Sequence, residues 1–211
     1  MDLVLASTSA ARRAVLGQAG IVPRCFAPEV DEPAAVAAAE RELGRALSAP
    51  ETVELLGRLK AEDVVRRHAA EVGTALVLGG DSVFLLHGEI LGKPHEPEVA
   101  FERARRHRGQ TGVLHSGHWL IDCRDGEVVG SAGMVDTATV RLAADVADAE
   151  LRAYIATGEP LELAGGFAID GRAAAFIDRI EGTPSCVMGL SMPALRALVT
   201  QLGHDFVSLW K

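Results

Sequence analysis

Apolar residues open the chain as a short run, Leu3 to Ala6, which stops at the hydroxyl cluster Ser7-Thr8-Ser9. The run predicts a buried strand, and the segment from about Ala10 to Ala19 a helix stopped by Gly20. Ser9 stands where its hydroxyl can satisfy an orphan N–H of the first helical turn. Ile21 to Ala27 reads as extended and leads into Glu29-Val30-Asp31-Glu32-Pro33. Ala34 to Leu47, rich in Ala and Glu, predicts an exposed helix. From Thr52 an amphipathic helix begins, with Leu55, Leu56, Leu59 and Val65 close to one face and Lys60 beside it, able to reach toward a cleft.

Further on, Ala75 to Leu78 predicts a strand that ends in Gly79-Gly80-Asp81, and Val83 to Leu86 with Glu89 to Leu91 a hairpin around His87-Gly88. Pro94 and Pro97 precede a basic helix at about Glu98 to Arg108. Short apolar runs from Gln110 to Arg141, broken by Asp125-Gly126 and Gly130, predict a meander of strands. A helix over Ala147 to Ala156, a glycine-rich turn at Ala164-Gly165-Gly166, strands at Phe167–Ile169 and Ala174–Ile180, and a helix over Ser191 to Leu202 complete the reading. Strands and helices interleave throughout, without repeat or linker. The expected class is α/β with a mixed sheet, as one domain over residues 1–211.

Composition narrows the functions. The 211 residues are 48% hydrophobic and 24% charged, enough for a core with a soluble surface. A net charge of −8 argues against a broad grip on a nucleic acid polymer or an anionic membrane, though a local group of cations can still bind a small polyanion. The three cysteines, Cys25, Cys123 and Cys186, form no disulfide framework and no zinc pair. Neither a secretory leader nor a long apolar span stands out, so a soluble, cytoplasmic protein is expected.

Three groups of residues carry chemistry. In Leu5 to Arg13, a strand passes through Ser7 and Ser9 into a helix bearing Arg12 and Arg13. Backbone N–H groups at a helix start and an arginine fork suit phosphate, while a capped surface helix with solvated arginines is the plainer reading. Next, Asp81 at a strand end suits a metal ligand or a base for water, and Lys93 of Gly92-Lys93-Pro94 supplies charge to a phosphate; taken separately, a turn aspartate and an exposed lysine are the plainer readings. Last, Glu32 near Asp81 would allow two carboxylates to hold a divalent cation such as magnesium, with Lys60 alongside. The seven histidines show no metal spacing and read as surface or core residues. Cys186 reads as a small buried hydrophobe. Arg103, Arg105, Arg106 and Arg108 read as a solvated face.

Taken together, these segments resemble the Maf family of nucleoside triphosphate pyrophosphatases, from about Leu3 to Leu202. The family's L-A-S-x-S-P-R-R is similar to Leu5–Arg12, V-D-E to Val30–Glu32, K-A to Lys60-Ala61, and G-A-D-T to Gly79–Ser82. I-L-G-K-P stands intact as Ile90–Pro94. G-Q-T is Gly109–Thr111, Y-I-x-T-G-E-P is Tyr154–Pro160, A-G-x-[YF] is Ala164–Phe167, and V-x-G-L-P-L resembles Val187–Met192, with Ser191 in place of proline. Ala10 and Ala11 replace the proline and first arginine of the opening motif, Asp170 stands where pyrimidine-hydrolysing members carry Gln, and Glu162-Leu163 where Asp-Lys is frequent.

The resemblance implies an elongated mixed β-sheet flanked by helices, with two lobes around a nucleotide-binding cleft. It implies hydrolysis between the α- and β-phosphates of a nucleoside triphosphate, with Mg²⁺ or Mn²⁺ held by Glu32 and Asp81. Asp81, Lys93, Lys60 and Glu32 would be catalytic. Ser7, Ser9, Arg12, Arg13, Ser82 and Asp170 would bind substrate, the last two sensing the base. A homodimer is a family expectation. A non-catalytic nucleotide sensor acting in cell division is the alternative, and a phosphohydrolase releasing orthophosphate a third.

Overall fold

In the computed structural model, which describes residues 1–211, seven strands and eight α-helices are joined by short turns and 3₁₀ segments. The strands are β1 (Leu3–Ala6), β2 (Arg24–Phe26), β3 (Ala75–Leu86), β4 (Glu89–Leu91), β5 (Thr111–Arg124), β6 (Glu127–Leu142) and β7 (Ile177–Gly182). They form one sheet in the order β2-β1-β3-β5-β6-β7, with β4 on β3. β1 runs parallel to β2 and β3, whereas β4 pairs with β3 and β7 with β6 antiparallel. The sheet is mixed, as the interleaved pattern predicts.

The chain divides into two compact units whose boundary falls within β3, β5 and β6. The first holds Met1–Asp81, Ser116–Asp136 and Gly189–Lys211; the second holds Ser82–His115 and Thr137–Met188.

The first unit contains helices α1 (Ala10–Gln18), α2 (Glu32–Leu43), α3 (Ala49–Arg67), α4 (Ala69–Val72) and α8 (Met192–Gln201). Ser9 caps α1 as expected, accepting the Arg12 N–H. α2 starts earlier than the pattern suggested because Asp31 caps it and Pro33 sits in its first turn, where no N–H is needed. It buries no residue, which fits its alanine-rich, weakly patterned sequence. α3 also starts early. Ser48 and Glu51 form a reciprocal capping box that fixes its entry. Val64, Val65 and Ala61 of α3 close over Val4, Ala6, Val77 and Ile121 to make the core of this unit.

Gly79, Gly80 and Asp81 lie inside β3 and do not end it, which corrects the expected turn. The glycines are there for a different reason. A Cβ at Gly79 would stand 2.1 Å from the Gly57 carbonyl oxygen and 2.8 Å from the Ala61 nitrogen of α3. One at Gly117 of β5 would stand 2.3 Å from the Val53 oxygen. Helix α3 therefore rests on bare sheet backbone, and this close approach sets how far Lys60 must reach. Gly79→Ala is expected to destabilise the protein by roughly 3 kcal/mol, the upper end for forcing atoms into a packed interior. Denaturant unfolding measures it, and an unchanged midpoint would show that α3 can lift off without cost.

The second unit contains α5 (Pro97–His107), α6 (Asp148–Ala156) and α7 (Pro184–Val187). The β3–β4 hairpin turns at His87-Gly88, both with positive φ, as predicted. The expected meander of strands consists of two long ones, β5 and β6, joined at Asp125-Gly126. Gly130 continues β6 without interruption. Phe84, Leu114, Val140, Tyr154 and Phe167 form one cluster of this unit, and Phe101, Leu142, Leu151 and Ile155 another. The expected strand at Phe167–Ile169 is absent. Phe167 instead lies edge-on to Phe84, and burying its ring there holds the segment without ladder hydrogen bonds. A 3₁₀ turn over Arg172–Phe176 precedes β7, so that strand starts later than predicted.

Cys186 and Cys123 are buried and Cys25 is exposed, all three as thiols. In α5, Arg105 and Arg106 are exposed and Arg103 is half-buried; Arg106 pairs with Glu89, and the half-buried Arg108 just past the helix pairs with Asp148. No helix is long and apolar enough to cross a membrane.

Candidate active site

The turn from β1 into α1 organises the first group of predicted residues. Ser7 is buried, and its Oγ accepts the Ser9 N–H at 3.1 Å and an Nη1–H of Arg12 at 3.3 Å. The Arg12 Nε–H donates to the Gly189 carbonyl at 2.8 Å. A hydroxyl, the start of a helix and a guanidinium thus face one another across two turns of chain. Burial lowers the proton affinity of Arg12, against the pull of Asp81 and Glu32, whose negative charges it feels. Arg13 is exposed.

Asp81 of the second group and Glu32 and Lys60 of the third meet at one ammonium. Lys60 Nζ lies 2.7 Å from Asp81 Oδ1 and 2.8 Å from Glu32 Oε1. The Lys60 and Asp81 side chains keep only 10% and 13% of their exposure, a depth that charged groups tolerate only when paired. Glu32 is more open, at the N-terminus of α2. Burial pushes the Asp81 carboxyl above the usual aspartate value. Lys60 and Arg12 pull it back, and the like charge of Glu32 adds to the rise.

Two supports of this cluster lacked a signal in the sequence. Asp63, one turn beyond Lys60 on α3, accepts the Glu29 N–H at 2.8 Å and pairs with Arg66 and Arg67, tying down the chain just before Glu32. Burial raises its proton affinity, but these donors outweigh it and leave the carboxyl below the usual value. A depressed folded value means stability that is present above the unfolded aspartate range and lost as pH falls through it. Asp63→Asn is expected to cost about 2 kcal/mol near neutrality, as for hydrogen bonds to a charged group, with a smaller penalty in acid. Unfolding midpoints across a pH series measure this; a penalty constant with pH would contradict it.

The other support is His118 of β5, which is 1% exposed. Its Nε2 accepts the Ser191 N–H at 2.8 Å and its Nδ1 lies 3.3 Å from the Met134 carbonyl. Ser191 also caps α8 by accepting the Ala194 N–H. His118 is thus a core histidine, as the sequence suggested, but one placed beside Arg12.

The remaining predicted residues belong to the second unit. Lys93 is exposed, 3.3 Å from Glu162, whose other oxygen lies 3.2 Å from His95 Nδ1. Ser82 follows Asp81 along β3 and is partly buried, and Asp170 is exposed between Ile169 and Gly171.

The model of the Maf-like protein family matches residues 2–202. The chain belongs to the Maf family. It is 55% identical over 210 residues to a protein of Leifsonia xyli subsp. xyli named nucleoside triphosphate pyrophosphatase, covering 100% of this chain and 97% of the relative. A Thermosynechococcus vestitus protein of the same name is 46% identical, covering 99% of this chain and 98% of the relative. The solved Ham1 protein of Staphylococcus aureus aligns over 96% of both chains at 11% identity, with a TM-score of 0.40. So loose a superposition adds nothing to the assignment, which rests on sequence.

Against the Maf pattern, two departures acquire a physical reading. Glu162, standing where the pattern carries Asp, engages Lys93 and His95. Ser191, standing where the pattern carries proline, supplies an N–H that proline lacks, and His118 accepts it.

Proposed function

We propose that this Maf protein hydrolyses the α–β phosphoanhydride bond of nucleoside triphosphates, giving a monophosphate and pyrophosphate. The observation that carries the reading is the single Lys60 ammonium shared by Asp81 and Glu32, with the charges of both carboxylates felt at Arg12. The names borne by close relatives favour the same activity.

In this reading Asp81 accepts the proton of the attacking water. Its partly buried setting keeps its basicity above that of a solvated aspartate, as a general base requires. Lys60 holds Asp81 in place and offsets charge gathering at the phosphate. Arg12, Ser7 and Ser9, with the N-terminus of α1, bind the triphosphate and stabilise the departing pyrophosphate; fixed donors of this kind need little reorganisation during reaction. Ser7 Oγ already accepts two N–H groups, which leaves its own proton to give to a phosphate oxygen. Lys93 adds charge toward the phosphates, Arg13 adds long-range attraction from the surface, and Ser82 and Asp170 discriminate the base. A carboxylate at Asp170 accepts hydrogen bonds but cannot donate as an amide does, which favours bases presenting a donor.

Glu32 and Asp81 meet at the Lys60 ammonium, and their remaining oxygens would suit Mg²⁺ or Mn²⁺, which take one or two protein carboxylates and fill the other positions with water and substrate oxygens. Glu32 and Asp81 would hold the ion, and no third metal-ligating side chain joins them. Bound there, the ion would supply positive charge to phosphate oxygens.

A panel of canonical and modified triphosphates, assayed with Mg²⁺, Mn²⁺ or chelator, tests the proposal. Pyrophosphate release that needs the divalent ion is expected. Orthophosphate as the product, or nucleotide binding without turnover, would contradict it.

A further inference from the structure

Arg12 is held on one side by Ser7 and on another by a turn that contains no part of the predicted site. Its Nε–H is held by the Gly189 carbonyl at 2.8 Å, so residues 189–191 help to set where the guanidinium points. Two residues later the Ser191 N–H, at the start of α8, is held by His118 Nε2 at 2.8 Å. On its opposite side the imidazole is held 3.3 Å from the Met134 carbonyl, which can accept only if Nδ1 carries the proton. Those two partners select one tautomer: Nδ1–H donating, Nε2 accepting.

The neutral ring is also what its surroundings favour. Burial, with the nearby Arg12 charge, pushes His118 down to about 4, against smaller opposing effects from the Met134 and Ser116 backbone and from Asp136. An imidazole that stays neutral can accept a backbone N–H next to a guanidinium without repelling it.

We propose that His118 is a positioning residue for Arg12, acting through the Gly189–Ser191 turn: by fixing the Ser191 N–H it fixes the Gly189 carbonyl, and through it the phosphate-binding guanidinium. Its value to activity rests on the pyrophosphatase reading; the mechanical linkage does not. The effect on catalysis is indirect, because the ring nitrogens bond the Met134 and Ser191 backbone.

Substitution separates the linkage from simple packing. His118→Leu removes the acceptor and leaves the Ser191 N–H unsatisfied, whereas His118→Gln keeps an acceptor on a side chain of similar reach. In the first variant, hydrogen exchange at the Arg12 Nε–H, identified by NMR through its loss in Arg12→Lys, is expected to accelerate at least about tenfold, with partial recovery in the second; displacements of an ångström have effects of this size or larger. Exchange that is unchanged in His118→Leu overturns the proposal.

Activity gives the second readout. Pyrophosphate release should lose about tenfold in kcat/KM on His118→Leu when Arg12 is present, and less than about twofold in an Arg12→Ala background. Equal losses in both backgrounds overturn the proposal, because they mean that His118 acts through the fold in general. If no variant and not even the parent releases pyrophosphate, the functional reading fails, and Arg12 exchange alone still decides the linkage.

Discussion

Asp81→Asn is expected to lower turnover by about 10³-fold, within the range for losing a general base, while nucleotide binding changes little. The amide keeps the size of the carboxylate and its place on β3 but cannot take a proton from water. Folding should survive, because burial already penalises the Asp81 charge and the substitution removes that penalty. The wild-type profile carries a matching signature. With Asp81 held above its ordinary value of 3.8, the acid limb of kcat/KM falls at a higher pH than a solvated aspartate would give, since activity appears only as the proton leaves. Near-normal turnover in a folded Asp81→Asn protein would remove Asp81 from that role.

Lys60→Ala should be nearly as damaging, by about 10²-fold, and for a separable reason. Lys60 is the cation that lets Asp81 and Glu32 remain charged side by side. Without it, two carboxylates share one place with only Arg12 to balance them, and one of them must take up a proton more readily. The acid limb should therefore move further toward neutrality, on top of the loss of phosphate stabilisation. Rate measurements from pH 5 to 9 test both parts. A drop in rate with an unmoved acid limb would mean that Lys60 serves the substrate and leaves Asp81 untouched.

Much of this site was legible in the sequence because its parts have local causes. Ser9 at a strand-to-helix step is a cap whatever surrounds it, and the positions of Glu32, Lys60 and Asp81 were marked by motifs. The fold class followed from interleaved periodicities, and the Asn-free turns at His87-Gly88 and Asp125-Gly126 announced themselves. The failures have tertiary causes. Gly79-Gly80 looks like a strand terminus when read alone; only the pressure of α3 on the sheet explains glycine in mid-strand. Phe167 has the composition of a strand residue, yet its ring is claimed by Phe84 and His107. His118, Asp63 and Glu162 act through partners tens of residues distant, namely Ser191, Glu29 and Lys93, and no spacing rule links such pairs. What the chain does not spell out locally is the set of contacts that hold the functional groups still.

Hydrolysis in ¹⁸O-water with mass analysis of both products tests whether water is delivered to the α-phosphorus while pyrophosphate departs. One ¹⁸O atom is expected in the nucleoside monophosphate and none in the pyrophosphate. Label in the pyrophosphate, or orthophosphate carrying it, would mean that water attacks elsewhere.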